Sequence, residues 1–528
     1  LKFTGEGNVK FDAALADKSC TYLVNVGVYR FGISFILGLL AATAIAQKPQ
    51  TGNVIFIHPD GTGPNQWQAA RTYWVGPDKM LNWDRLPSVA LYRGHMGNLL
   101  AGTSNGGATT HAFGYKVEGR GSYGKNGDGM LTPATDRFIN GLSGYAGSVM
   151  REAKAAGHPI AVINDGHIGE PGTGCFLAEV GNRNAWDEIS KQILMGRPGK
   201  NDADPDVILG GGEENFLPKG TTGVHGPSKR SDDLDLIAEA RRRGYVVIRS
   251  RTEFNAEMAK VMADPKYAPK LLGLFAAKHT FNDDDEEALI AKGFVDSTVP
   301  ADAKTSNLLL FGGKFGTASY NPPRIGEMMD LALRVMARRS AMAKKPFMMV
   351  AEPESTDNFG NECNAIGTLV ALRNADEGIG VAQRFLASNP RTLIITAADS
   401  DANGMQLMPD LLDADGKVKK LGNTRLNPAN GEAIAVGYDG LYGRNTFAFL
   451  AEPDQFGVRM PFAIGWAAGG DVQGGILTRA AGLNADILTR HLSGRFDNVD
   501  VYRMLHGTLF GRWLNYPEGQ RPPDRKAN

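Results

Sequence analysis

The chain has 528 residues, 57 basic and 57 acidic side chains and 42% hydrophobic residues, with no net formal charge. That length and apolar fraction suit a large folded α/β core, and the balanced charge excludes the broad basic field of a nucleic-acid binder. The three cysteines, Cys20, Cys175 and Cys363, form no CxxC pair, so no cysteine zinc site or disulfide framework is implied.

In chain order, the first readable feature is a leader. Arg30 precedes the apolar run Phe31 to Ala42, and Ala44-Ile45-Ala46 stands before Gln47. These are the charged region, short apolar region and small-x-small cleavage site of a signal peptide, which sends the mature chain to the periplasm or outside the cell. The run is short for a membrane span; an anchor or a buried helix is the alternative. Residues before Arg30 carry no targeting signal and read as lying upstream of the true start. We therefore expect an upstream segment and signal peptide over 1–46 and one catalytic domain over 47–528. Cys20 falls in the upstream part. Cys175 and Cys363 leave open one disulfide or two free thiols.

After Gln47, short apolar runs alternate with amphipathic stretches. Strands are expected at Asn53–His58, Ile160–Asn164, Val207–Leu209, Tyr245–Ile248, Leu308–Phe311, Phe347–Ala351 and Thr392–Thr396. Helices are expected at Gln66–Thr72, Ala108–Tyr115, Asp187–Met195, Leu234–Arg242, Arg324–Ala341 and Asn364–Ala387. This alternation predicts an α/β fold with a large, mostly parallel sheet flanked by helices on both faces. The Gly-, Asn- and Pro-rich stretch 413–461 reads as an irregular insertion beside the active face. The polar tail from Tyr516 is expected to fray.

Ligands of open α/β sheets collect at the carboxyl ends of the strands. Here those ends are acidic: Asp60 after the first strand, Asp165 and Glu170 after the second, Glu352, Glu354 and Asp357 after the sixth, and Asp399 and Asp401 after the seventh. A single acid there is ordinarily a turn or a cap. Several on one edge repel one another unless a cation neutralises them. The segment Gly102-Thr103-Ser104-Asn105-Gly106-Gly107 places hydroxyls and glycines where a helix begins. A helix start offers free N–H groups to an anion, and a serine beside a metal can act as a nucleophile.

Together these segments resemble the alkaline phosphatase family. Asn53 to Gly63, NVIFIHPDGTG, is similar to the family strand whose Asp, here Asp60, bridges metals. Leu99 to Lys116 fits the nucleophile segment and puts Ser104 on the nucleophilic serine. Glu170 to Arg183 resembles the block in which an acid or histidine binds metal and an arginine thirteen residues on clamps phosphate. Asp206 to Gly212 looks like the Gly-rich strand end. Val350 to Asp357 matches the segment carrying a glutamate ligand, Glu352, and an aspartate ligand, Asp357. Thr396 to Asp399 matches another ligand strand, and Phe496 to Arg503 the closing segment. The resemblance implies an alkaline-phosphatase-like fold, small-molecule phosphate esters as partners, divalent metal ions as cofactors and catalysis by Ser104 and Arg183. It leaves a homodimer open and implies no nucleic acid and no stable membrane insertion after leader cleavage.

The chain departs from the family at its zinc-ligating histidines. Their positions carry Asn361, Ser400 and, near Gly470, Ala467; the magnesium-ligating hydroxyl falls on Gly172, beside Thr173. The ligand set is thus Asp60, Glu170, Glu352, Asp357, Asn361, Asp399 and Ser400. All of these donors are oxygens, which suits magnesium, calcium or manganese better than zinc. Either the enzyme works with hard cations, or it keeps the scaffold without efficient catalysis. His58, His111 and His167 are further candidates for a site role. The rival functions are a phosphodiesterase of the same superfamily and a phosphate-binding pseudoenzyme. The absence of a Cys/Ser-x-Pro-x-Arg pattern counts against a sulfatase.

Overall fold

A strand covered on both faces must be apolar at nearly every position, and the central strands here are. The computed structural model describes residues 48–119, 122–126, 138–200, 202–294, 321–408, 438–444, 446–490 and 496–517, and positions 519, 520, 522, 523 and 525 of the tail. A 9-stranded sheet dominates it. Its strands are β1 (Asn53–Ile57), β2 (Ser88–Tyr92), β3 (Ile160–His167), β4 (Val207–Gly211), β5 (Tyr245–Ile248), β6 (Lys270–Leu274), β7 (Met348–Glu352), β8 (Thr392–Thr396) and β14 (Ile476–Gly482). The strand order is β2-β14-β8-β1-β7-β3-β4-β6-β5. Every pairing is parallel except those of β14, which runs antiparallel to both β8 and β2.

Successive side chains of a strand point to opposite faces. Val54 and Phe56 of β1 accordingly enter one core with Val350, Ile395 and the helices Ser104–Phe113, Pro171–Leu177 and Asn498–Phe510. Ile55 and Ile57 enter the other with Met349, Ile394 and the helices Pro64–Trp74, Ile325–Ala343 and Ala365–Ser388. Ile55 is fully buried, so Ile55→Ala should cost about 2–5 kcal/mol through the cavity it leaves.

A second, 5-stranded sheet comprises β9 (Gln406–Met408), β10 (Asp439–Gly440), β11 (Gly443–Arg444), β12 (Phe449–Leu450) and β13 (Pro461–Gly465). Phe449, Phe462 and Trp466 pack there against Leu369 and Phe359. Residues 413–437 of the expected insertion lie outside the described residues, as do the leader, Cys20 and the expected strand Leu308–Phe311. Cys175 and Cys363 are free thiols. Among the described residues no helix is long and apolar enough to cross a membrane.

Candidate active site

Three neighbouring interior strands, β8, β1 and β7, each run into an acid at the carboxyl end: Asp399, Asp60 and Glu352. His58 lies fully buried among them. Its Nε2 is 3.7 Å from Asp60 Oδ1 and 3.7 Å from Asp399 Oδ1, and its Nδ1 is 3.6 Å from Glu352 Oε1. Ligand atoms of His58, Asp60 and Asp399 fall within 4.8 Å of one another, as do those of Asp60, Glu352 and Glu354.

Packing acids this closely carries an electrostatic cost. Burial, then the facing Asp399 carboxylate, pushes Asp60 well above the usual carboxylate range. Burial, then Asp471 and Asp399, does the same to Asp357. Burial, then Glu170 and Glu352, raises Glu354. Asp60 Oδ2, Asp357 Oδ1, Asp399 Oδ2 and Glu354 Oε2 are buried with no hydrogen-bond partner among the described residues. Unpaired buried oxygens of this kind are what a hard divalent cation coordinates, so the residues present fit such ions.

The helix Ser355–Asn361 carries a second group of donors. Its Asp357 and Asn361 are four residues apart, hence on one face. Asn361 Nδ2 donates to Asp357 Oδ2 at 2.9 Å and to Asp471 Oδ1 at 3.3 Å. Asp471, which sequence reasoning missed, is pushed up to about 6 by burial and by Asp399, while hydrogen bonds from Asn361 and Ser400 pull it down. Ser400 Oγ donates to Asp399 Oδ1 at 3.4 Å. Asn361, Ser400 and Asp471 thus gather at the carboxylates beside which the family's histidines were expected. Ala467, the nearest match for one of those histidines, is exposed.

The helix Ser104–Phe113 begins at Ser104, four residues earlier than its periodicity predicts. Thr103 caps it, accepting from the Gly106 N–H at 3.3 Å. Ser104 itself is 8% exposed. The helix presses directly onto the acid cluster: a Cβ on Gly107 would stand 2.3 Å from Asp399 Cβ. Only glycine allows that approach. Arg183 reaches the same helix start, its Nη1 donating to Asn105 Oδ1 at 3.5 Å, with Nη2 3.9 Å from Glu170 Oε2. Burial pushes Glu170 up to about 7, with Arg183 pulling it back.

Not every acidic strand end joins the cluster. Asp165 accepts from the Ser355 N–H at 3.0 Å and Ser355 Oγ at 2.6 Å, anchoring the start of the next helix. Asp401 accepts from Gln66 Nε2 at 2.5 Å. His111 is paired through Nε2 with the Tyr92 hydroxyl at 2.7 Å. His167 is held by Asn215 Oδ1 at 3.1 Å and the Gly169 N–H at 2.9 Å. Of the three flagged histidines, only His58 faces the carboxylates.

The family model for alkaline phosphatase matches residues 51–427. The chain belongs to the alkaline phosphatase family. Tissue-nonspecific alkaline phosphatase of Rattus norvegicus is 25% identical over 381 residues, which is 66% of this chain and 63% of the rat protein. The match therefore spans less than two thirds of that relative. Streptomycin-6-phosphate phosphatase of Streptomyces griseus is 27% identical over 399 residues, 70% of this chain and 80% of the relative. The crystal structure of Thermus thermophilus alkaline phosphatase superposes with a TM-score of 0.58 at 19% identity, covering 90% of this chain and 95% of that one. The alkaline phosphatase fold is therefore present, with its mostly parallel sheet and helices on both faces.

Proposed function

We propose that the chain is a metal-dependent phosphomonoesterase that works through a phosphoserine at Ser104. The observation that carries this reading is the helix headed by Ser104, pressed against Asp399 while Arg183 reaches its first turn. Membership of the alkaline phosphatase family supports it, and so does a relative named for a monoester, streptomycin 6-phosphate. Divalent cations held by Asp60, Asp357, Asp399, Asn361, Ser400 and Asp471, with Glu170 and Glu354 close by, would lower the pKa of a neighbouring hydroxyl and offset phosphoryl charge. Those donors favour magnesium, manganese or calcium over zinc.

Ser104 Oγ attacks phosphorus in line; the Oγ–P bond forms, the ester P–O bond breaks, and the alcohol departs. Arg183 binds the non-bridging oxygens with its planar fork, and the N–H groups at the helix start add to that hold. Water then attacks phosphorus, breaks the P–Oγ bond, and restores the Ser104 hydroxyl with release of inorganic phosphate. The Ala44-Ile45-Ala46 site supports periplasmic or secreted action. Comparing hydrolysis of matched monoesters and diesters tests the substrate class; a preference for diesters would reject it.

Arg183→Ala should raise KM for a monoester about 10- to 150-fold, because charge-assisted hydrogen bonds contribute ~1.5–3 kcal/mol. Arg183→Lys should recover only part of this, since an ammonium cannot pair bidentately. Steady-state kinetics of the three proteins decide it. Asp471→Ala should weaken magnesium binding by about tenfold or more, and Asn361→His should shift preference toward zinc. Calorimetric titration with each metal reads both.

A further inference from the structure

Among the described residues, Asp60, Glu354, Asp357 and Asp399 each keep a buried oxygen without a hydrogen-bond partner. Glu352 instead accepts four hydrogen bonds. Its Oε1 accepts from the Gly172 N–H at 2.7 Å. Its Oε2 accepts from the Thr173 N–H at 2.8 Å, Thr173 Oγ1 at 3.2 Å and Asn164 Nδ2 at 2.5 Å. A carboxylate has about four acceptor sites, so little capacity remains for an ion. The open side of Oε1 faces His58 Nδ1 at 3.6 Å.

The His58 ring is held firmly in that position. It is fully buried, stacked on Phe56 with centroids 5.8 Å apart, and set edge-on to His111 at 5.4 Å. Both of its nitrogens lack hydrogen-bond partners among the described residues and are aimed at carboxylates. Position 172 explains how the ring fits. A Cβ there would stand 2.2 Å from His58 Nδ1 and 2.1 Å from Glu352 Oε1, closer than non-bonded atoms approach. The imidazole and the Glu352 carboxylate both crowd out a side chain at 172.

We propose that the His58 ring takes the place of a cation at Glu352, and that Gly172 is the vacancy the ring requires. This inference rests on the metal-dependent reading of the site. The ions then sit on the Asp60, Asp399 and Asp357 side, while Glu352 and His58 form a fixed wall of the cluster. Glu352 serves by holding Thr173 and Asn164 in position, and His58 by filling the space between Glu352, Asp60 and Asp399.

Counting Mn²⁺ bound per chain, by the electron paramagnetic resonance of free Mn²⁺ during titration, tests this directly. His58→Ala should bind one more Mn²⁺ per chain than the parent protein, because removing the ring opens room beside Glu352. An unchanged count overturns the proposal. A lower count also overturns it and makes His58 a ligand. A thermal-melting cycle checks the steric half without reference to metal. Gly172→Ser should lower the melting temperature of the parent by several degrees and that of His58→Ala by less, the Glu352 contact alone remaining; equal losses in both backgrounds overturn the steric role of His58. A parent chain that takes up no Mn²⁺ would count against the metal-dependent function itself, and the melting cycle would still decide the role of His58.

Discussion

Ser104→Ala is expected to abolish the phosphoenzyme and to lower kcat by about a thousandfold or more. Where a serine nucleophile is the reacting group, its removal costs up to about 10⁶ in other hydrolases. The lower figure allows for the phosphate binding and electrostatic stabilisation that survive. The variant should fold normally. Thr103, not Ser104, caps the helix, so the lost hydroxyl removes no capping bond, and stability should change by no more than about 0.5 kcal/mol. Acid-quenched labelling with a radioactive monoester reads the covalent step, and melting reads the fold. Retention of full activity with label still on the chain would place the reacting hydroxyl elsewhere.

Stripping the cations should remove activity and, separately, reverse the way stability depends on pH. Burial and neighbouring carboxylates hold Asp60, Glu354 and Asp357 above their unfolded values, with Asp471 at about 6 and Glu170 at about 7, while Asp399, facing His58, is pulled below its own. For a group raised in this way the folded state holds more protons than the unfolded state. Its contribution is present below the unfolded value, near 4, and is lost as pH climbs through the folded value. The metal-free protein should therefore lose melting temperature between about pH 4 and pH 7. Cations compete with those protons, so their affinity rises over the same window. At a hundredfold excess over Kd, each bound ion returns about 2.7 kcal/mol. Calorimetry of the chelated protein across this range, then with Mg²⁺, Mn²⁺, Ca²⁺ or Zn²⁺ restored singly, measures both effects. A melting temperature indifferent to chelation at pH 8 would sink the coupling.

The strands that build the site were the most legible part of the sequence. β1, β7 and β8 are continuous apolar runs because both their faces are buried, and each runs into an acid. β5 and β8 have the predicted limits. β6 and β14 were not read. KLLGL and ILTRAAG carry few β-branched residues and interrupt the apolar run with glycine or charge. The short helix Ser355–Asn361 was hidden by its polar and glycine residues. Asp60, Glu352 and Asp399 could be found from where strands end. His58 was seen as a candidate but not placed among the ligands, because a lone histidine is more often a hydrogen-bonded structural residue than a ligand. Asp471 gave no local signal: it lies on an aperiodic loop, and only the fold brings it to Asn361.

The reversed direction of β14 has a consequence for how such a centre can change. Since this strand runs against its neighbour, the residues that enter it emerge at the same rim where β8 and β1 leave off. Asp401 and Val472 meet there as an antiparallel bridge, and Asp471 is carried in beside them. Had β14 been parallel, its incoming loop would open at the far side of the sheet. The rim thus receives donors from a connection whose residues 467–475 belong to none of the apolar clusters. An exchange of aspartate for another donor there can retune which ion is preferred while the packed interior stays as it is.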